Sequence, residues 1–114
     1  MNFLNTQQAA KKGDVNAQFI LGAMYKDGEK TAQDYSEAYK YYKLAAEQGN
    51  IDAQFSLGCM YRSGKGVMLD LAKAVYYYQQ AAVQGNLAAQ YNNLWLMYYN
   101  GYGVKKISVL PENF

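Results

Sequence analysis

The side chains that most often perform catalysis are scarce in this 114-residue sequence, which contains no histidine and a single cysteine. The absence of histidine removes the commonest general base and the commonest metal ligand. Cys59 could act as a nucleophile, but no base lies at a suitable spacing, and a free cysteine is usually a small buried apolar residue. Carboxylates such as Asp27, Glu29 and Asp52 could serve a small hydrolase or transferase only if they converged in one cleft. We therefore expect no catalytic residue, no metal and no cofactor.

Local sequence and charge also disfavour several other ligands. The segment Gly64-Lys65-Gly66 resembles part of a phosphate-binding loop, but it lacks the preceding strand, the spacing and the Ser or Thr of that motif. The net charge is only +2, and the 11 Lys and Arg residues are scattered, so no nucleic-acid-binding patch is predicted.

No run approaches the roughly 20 apolar residues of a membrane span. Residues 1–14 lack a signal peptide's apolar run, so we expect a cytoplasmic protein if the chain is complete and an exported one if a signal peptide was removed.

The whole chain is organised by a repeat of 36 residues. When residues 13–48 are aligned with residues 49–84, 16 of the 36 positions are identical, which chance does not produce. The recurring groups include a glycine, an Ala-Gln pair, a Met-Tyr pair and a Tyr-Tyr pair. They are Gly13, Gly49 and Gly85; Ala17-Gln18, Ala53-Gln54 and Ala89-Gln90; Met24-Tyr25 and Met60-Tyr61; Tyr41-Tyr42 and Tyr77-Tyr78.

Each repeat is predicted to contain two helices, called helix A and helix B. In the first repeat, apolar residues at helical spacing predict helix A over 15–26 and helix B over 35–48. Asp14 and Asp34 precede these helices as N-caps, Asn50 and Asn86 repeat the role of Asp14, and Gly28 suits a left-handed residue at the C-terminal end of helix A. A single helix pair cannot bury both of its faces, whereas stacked pairs can. The pattern therefore predicts an all-α solenoid of antiparallel helix pairs.

The repeat divides the chain into five parts. Residues 1–12 are predicted to form a half unit that resembles the end of a helix B and caps the array. Full repeats are expected at 13–48 and 49–84, a partial third repeat with helix A alone at 85–104, and a tail at 105–114.

The third repeat departs from this pattern. Its Met97-Tyr98 pair follows Met60-Tyr61 by 37 residues, which indicates one inserted residue near Asn92-Asn93. Trp95 then stands where Gly58 predicts a glycine. An added residue rotates the following helical face by about 100°. We therefore predict a π-bulge near 92–94 or a rotated last turn.

The segment AQFSLGCMYRSGKGV at 53–67 and the residues after it resemble the Sel-one-like repeat (SLR), a relative of the tetratricopeptide repeat. The resemblance covers about residues 13–104 and also includes Asp70, Ala74, Tyr77-Tyr78, Ala81-Ala82 and Gln84-Gly85. It implies a right-handed α/α superhelix that serves as an adaptor between proteins. Lys30 departs from it because the second repeat has Gly66 at that position, so the two loops are expected to differ in shape.

By analogy with tetratricopeptide arrays, helix A positions that do not enter the core should line a concave binding face. An aromatic residue recurs there, and cations at one level could hold a carboxylate. The alternative is that the aromatic rings pack between neighbouring A helices and that the cations are solvated. The candidate binding residues are Asn16, Phe19, Lys26, Asp52, Phe55, Cys59, Arg62 and Tyr91, of which Lys26 and Arg62 are the paired cations.

Three functions are compatible with these features. The first is a non-enzymatic scaffold that binds a peptide or protein segment on the helix A face. The second is a structural module that self-associates as a homo-oligomer through Trp95 and the apolar C-terminal tail. The third is the small hydrolase or transferase, which has the least support from the sequence. The sequence does not identify the partner.

Overall fold

The computed structural model describes residues 2–100, with side chains described as far as residue 96. This part of the chain forms six α-helices and contains no strand, as an all-α solenoid requires. The helices are α1 (Phe3–Lys11), α2 (Val15–Asp27), α3 (Tyr35–Glu47), α4 (Ile51–Ser63), α5 (Leu71–Val83) and α6 (Leu87–Asn100). The A helices are α2, α4 and α6, and the B helices are α1, α3 and α5.

The A helices begin at the caps expected from the sequence. The side chains of Asp14, Asn50 and Asn86 each accept a hydrogen bond from the backbone N–H three residues later, at 2.9, 2.8 and 2.7 Å. These bonds satisfy donors that the first turn of a helix leaves without partners. Two A helices end at Gly28 and Gly64, which both adopt φ 71°, a left-handed conformation that glycine enters without a steric penalty.

The B helices start in the same manner. Asp34 accepts from the N–H of Glu37 at 3.1 Å, and Asp70 accepts from the N–H of Lys73 at 3.0 Å. The backbone N–H of Asp34 donates to the carbonyl of Tyr25 at 2.8 Å, which fixes the loop between α2 and α3. The equivalent bond in the next repeat closes the loop between α4 and α5. The repeated sequence thus produces repeated loop geometry as well as repeated helices.

The expectation that the first loop differs in shape is wrong. Lys30 adopts φ 68°, in the same left-handed region as Gly66 at φ 79°. A non-glycine residue can occupy this region at a cost of about 1–2 kcal/mol. At Gly66 itself a Cβ atom would lie 2.6 Å from the backbone oxygen of Tyr35, so this site excludes side chains for steric reasons too.

Consecutive helices pack as antiparallel neighbours along the whole described array. Within each full repeat, a buried tyrosine of helix B lies against a glycine of helix A. A Cβ atom on Gly22 would lie 2.8 Å from a ring atom of Tyr42, and one on Gly58 would lie 2.6 Å from a ring atom of Tyr78. Both tyrosines are fully buried. The glycines therefore allow the two helices of a pair to approach closely enough to share one core.

A repeated glutamine network connects each repeat to the one before it. The side-chain amide of Gln54 donates to the carbonyl of Ala46 in the preceding helix B at 3.3 Å. Its oxygen accepts from Gln84 at the end of its own repeat at 2.7 Å. The first repeat has the same arrangement with Gln18, Ala10 and Gln48. Because Gln18 and Gln54 are buried, these bonds satisfy polar groups that would otherwise destabilise the core.

The predicted π-bulge in the last A helix is wrong, because α6 is an uninterrupted α-helix from Leu87 to Asn100. The alternative prediction, a rotated last turn, concerns side chains that lie outside the described residues. The pattern of buried side chains in α6 also follows the 36-residue repeat of the earlier A helices. Asn93 and Leu96 are buried at the positions of Leu57 and Met60, 9% and 1% exposed.

Sequence identity at Met97-Tyr98 and the burial pattern disagree, and the burial pattern gives the structural alignment. Leu94, and not Trp95, therefore occupies the position of Gly58. The buried Asn93 carries a cost, since its Oδ1 atom has no hydrogen-bond partner among the described residues. The proposed tail and the predicted lack of a second helix after residue 104 lie outside the described residues.

Candidate binding site

The recurring aromatic residues of the A helices are partly structural. The ring of Phe19 packs against Tyr42, with centroids 5.6 Å apart, and that of Phe55 packs against Tyr78 at 5.7 Å. Both phenylalanines are half-buried, so one edge of each ring contributes to the core and the other faces outward. Tyr91, at the same level of α6, is 65% exposed. Phe19 and Phe55 therefore contribute to core packing, and the binding face at their level stays a prediction.

A groove of about 420 Å³ lies between the C-terminal halves of α2 and α4 and the start of α3. We call it the helix-A groove. Its size is at the lower end of the range of about 300–1,000 Å³ for ligand-binding clefts. Apolar side chains, hydroxyl groups and charged groups all contribute to its lining. The lining residues are Lys26, Asp27, Gln33, Tyr35, Phe55, Ser56, Cys59, Met60, Ser63 and Lys65.

Buried tyrosine hydroxyls support the floor of this groove from below. The hydroxyl of Tyr78 donates to Sγ of Cys59 at 3.3 Å, and the hydroxyl of Tyr42 is hydrogen-bonded to Ser56. Burial raises the pKa of Tyr42 to about 12, an effect that the bond to Ser56 partly opposes. Burial also raises the pKa of Tyr78, and the bond to Cys59 acts in the same direction. Both phenols are therefore neutral at physiological pH and hold the floor residues in place.

The rim of the groove carries two ammonium groups. Nζ of Lys26 lies 3.8 Å from Oδ1 of Asp27, and both side chains are about half exposed. Nζ of Lys65 lies 5.5 Å from the centroid of the Tyr35 ring, which is cation–π geometry. Gln33 joins these two parts of the rim, because its amide donates to the carbonyl of Lys26 at 2.8 Å and to the hydroxyl of Tyr35 at 3.3 Å.

The helix-A groove contains three of the candidate binding residues, namely Lys26, Phe55 and Cys59. Phe19 borders an adjoining hollow of about 150 Å³. Arg62 is not in the groove, because its Nη1 donates to Oδ1 of Asn92 in the neighbouring A helix at 2.6 Å. Lys26 lines the helix-A groove and Arg62 does not, so the two cations do not share this groove. Asn16 and Asp52 are exposed near the starts of α2 and α4, and Tyr91 lies on α6.

The carboxylates considered for catalysis do not converge on the floor of the groove. Asp27 and Glu29 both border the smaller hollow beside Phe19, and both are exposed, while Asp52 lies at the opposite end of an A helix. Within residues 2–100, no group of three or more Cys, Asp or Glu side chains is placed to hold a metal ion. The arrangement can bind a ligand through apolar contact, hydrogen bonds and charge, but it lacks a buried pair of carboxylates for acid–base chemistry.

Several groove residues were not anticipated from the sequence. Gln33, Tyr35 and Lys65 come from the loops and from the first turn of helix B, whereas the prediction considered only helix A. The sequence signal that could have identified them is the glycine that ends each A helix in a left-handed conformation, Gly28 or Gly64. A C-cap of this kind turns the chain back across the end of its own helix, so the loop residues that follow it lie beside that helix.

A second groove, of about 540 Å³, lies on the opposite side of the array between α3 and α5. We call it the helix-B groove. Its walls include Tyr76, Gln80 and Val83, of which Tyr76 is 54% and Val83 is 84% exposed. Glu47 is its one charged lining residue among those described. This groove provides an internal comparison for any binding experiment on the helix-A groove.

These features define an α/α repeat protein with a groove between successive A helices. The family model for the Sel1 repeat matches the chain at residues 15–50, 51–86 and 84–108. The chain therefore belongs to the Sel1 repeat family, as its resemblance to the Sel-one-like repeat predicts. A search among curated proteins found no match.

Solved structures of related proteins share this fold. A protective antigen from uropathogenic Escherichia coli strains, which displays an SLR fold, is 39% identical with a TM-score of 0.86. The match covers 94% of this chain but only 23% of the antigen. A Sel1 repeat protein from Oxalobacter formigenes is also 39% identical, with a TM-score of 0.79 over 94% of this chain and 80% of its own. Helicobacter pylori cysteine-rich protein B is 27% identical, with a TM-score of 0.74 over 79% and 68%.

These matches confirm the all-α solenoid predicted from the sequence. Sel1 repeat proteins are often scaffolds for protein–protein interaction and are generally non-catalytic. No helix within the described residues is both long and apolar enough to cross a lipid bilayer.

Proposed function

We propose that this chain is a non-enzymatic scaffold that binds a segment of another protein in the helix-A groove. Membership of the Sel1 repeat family supports the general role. The observation that supports this location is the composition of the groove, where the half-buried Phe55 offers apolar surface between rim residues that carry ammonium and hydroxyl groups. Peptide-binding grooves typically combine apolar surface with a few polar groups that fix orientation.

Preorganisation of the floor gives this proposal a physical basis. Phe55 is held against the Tyr78 ring, and Cys59 accepts a hydrogen bond from the hydroxyl of the same tyrosine. Met60 is 4% exposed and belongs to the core. A ligand therefore meets side chains that are already ordered, and association costs less conformational entropy than it would on a mobile surface.

The same lining argues against a hydrolase or transferase. Asp27 is the single carboxylate among the groove residues, and it is paired with Lys26. A pair of carboxylates that act as general acid and general base needs a second carboxylate in a defined position. Neither Glu29 nor Asp52 lines the groove. The proposed role is therefore binding without chemical change of the partner.

Self-association through the C-terminal end is a second candidate. Leu87, Tyr91 and Trp95 follow one another at four-residue spacing on α6 and are 77%, 65% and 44% exposed. An apolar row of this kind favours contact with another apolar surface. Light scattering at high protein concentration tests it: a dimer or larger species that dissociates on Leu87→Ser substitution supports the candidate, and a monomer contradicts it.

Partner capture with two matched variants tests the groove. Ser63→Trp places a large side chain in the helix-A groove from an exposed position at the end of α4. Ser36→Trp makes the same change at an exposed position of α3 outside the groove. We expect a partner that wild type and Ser36→Trp retain and that Ser63→Trp loses. Equal retention by all three proteins would contradict the proposal.

A further inference from the structure

The rim of the helix-A groove carries an excess of positive charge, since Lys26 and Lys65 face the single carboxylate of Asp27. The Lys26–Asp27 pair is 3.8 Å long and about half exposed on both sides, with side-chain exposures of 44% and 58%. Exposed ion pairs of this kind contribute little to stability. Lys26 can therefore exchange Asp27 for a ligand carboxylate, or bind both, without a large loss.

Lys65 is held at the edge of the groove by the ring of Tyr35, 5.5 Å below its Nζ atom. A cation–π contact orients an ammonium group but uses none of its three N–H donors in a conventional hydrogen bond. Tyr35 is itself fixed, because its hydroxyl accepts from Gln33 and Gln33 also donates to the carbonyl of Lys26. Tyr35 and Gln33 thus link the Lys65 side chain to the backbone of Lys26.

We infer that the groove selects an acidic peptide segment, in which an Asp or Glu carboxylate lies between Lys26 and Lys65 and a neighbouring apolar side chain contacts Phe55. This inference rests on the proposed function and specifies the chemistry of the partner. Charge complementarity supports the acidic residue, and the apolar floor supports its neighbour. A basic segment would bring its cations against both lysines and find only Asp27 to pair with.

The inferred site replaces the carboxylate clamp that the sequence suggested. Arg62 donates to Asn92 at 2.6 Å and serves contact between A helices. Lys65, which follows the C-terminal stop of α4, takes the place that the sequence assigned to Arg62. Lys26 keeps its predicted role.

Selection from a phage-displayed library of random short peptides, with the full chain as target, tests this inference. The recovered peptides should be enriched in Asp or Glu next to an apolar residue, and their binding should weaken as salt concentration rises. The charge variant is Lys26→Gln/Lys65→Gln. Its matched control is Lys40→Gln/Lys73→Gln, which also removes one lysine paired with a carboxylate and one lysine above a tyrosine ring.

We expect the charge variant to bind a selected acidic peptide about tenfold more weakly than wild type, and the control to bind it as wild type does. The inference would be overturned by peptides that lose binding on Ser63→Trp substitution but show no acidic enrichment and bind the charge variant as they bind wild type. The proposed function would then still stand. A library that yields no peptide dependent on position 63 would contradict both.

Discussion

The ring of Tyr78 lies so close to Gly58 that a Cβ atom on the glycine would be 2.6 Å from Cδ1 and 2.7 Å from Cε1 of the ring. The hydroxyl of the same tyrosine reaches Cys59 in the floor of the helix-A groove. One side chain therefore fixes the spacing of a helix pair and also supports the candidate binding surface. Tyr42 and Gly22 have the same relationship in the first repeat.

Gly58→Ala should destabilise the protein. Overpacking a core costs about 1–3 kcal/mol, which exceeds the roughly 1 kcal/mol that alanine gains over glycine in a helix. Urea denaturation measures the free energy of unfolding. In a Tyr78→Leu background, where the ring is absent, the same substitution should cost less than in wild type. A Gly58→Ala protein that is more stable than wild type would show that the ring moves aside freely.

Asn93→Leu should stabilise the protein by about 1–2 kcal/mol, because it removes a buried Oδ1 atom that has no partner among the described residues and restores the residue type found at Leu57. Thermal unfolding followed by circular dichroism checks this. Asn92→Leu, one residue earlier, is the control and should not stabilise, since Asn92 accepts from Arg62. A loss of stability in Asn93→Leu would mean that the position has a partner beyond the described residues.

Gln54→Met should lower the free energy of unfolding by about 1–2 kcal/mol. The substitution retains most of the side-chain volume but removes the bond to Ala46, which connects two repeats, and the bond to Gln84 within the same repeat. Gln79→Met is the control, because Gln79 is exposed on α5. Equal stability of both variants in urea would show that the glutamine network contributes nothing to coupling between repeats.

Stability should fall as pH rises above 10. Burial raises the pKa of Tyr42 to about 12, whereas an unfolded tyrosine titrates near 10. Between these values the unfolded state binds fewer protons than the folded state, so the free energy of unfolding decreases with pH.

The contribution of one such group is at most about 1.4 kcal/mol per pH unit. Urea denaturation at pH 8 and pH 11 gives the change in the free energy of unfolding between these two pH values. Tyr42→Phe should show a smaller decrease than wild type, and Tyr76→Phe, which changes an exposed tyrosine, should show the wild-type decrease. An identical decrease in wild type and Tyr42→Phe would contradict the assignment.

The repeat made most of the fold predictable, because identical residues at a fixed spacing reproduce the same caps and the same contacts. Asp14 and Asn50 cap their helices as expected, and Gly28 ends α2 in the left-handed conformation. The prediction failed where sequence identity and burial disagreed. Met97-Tyr98 suggested an insertion, but the buried residues Asn93 and Leu96 keep the original step.

The binding site was less predictable, because it joins residues that no local pattern connects. Helix periodicity indicated that Phe55 and Cys59 share a face, and both line the groove. Periodicity contains no information on Tyr35 and Lys65, which reach the groove through loop geometry and a contact between two repeats. Local sequence also does not predict the hydrogen bond of Arg62, since Asn92 lies 30 residues away in the chain.

Site-specific photo-crosslinking in the native cell tests the central claim most directly. A photoreactive residue replaces Ser63 in the helix-A groove in one protein and Gln80 in the helix-B groove in another. The account predicts that a partner protein crosslinks from position 63 and not from position 80. Crosslinking from position 80 alone, or from neither position, would contradict it.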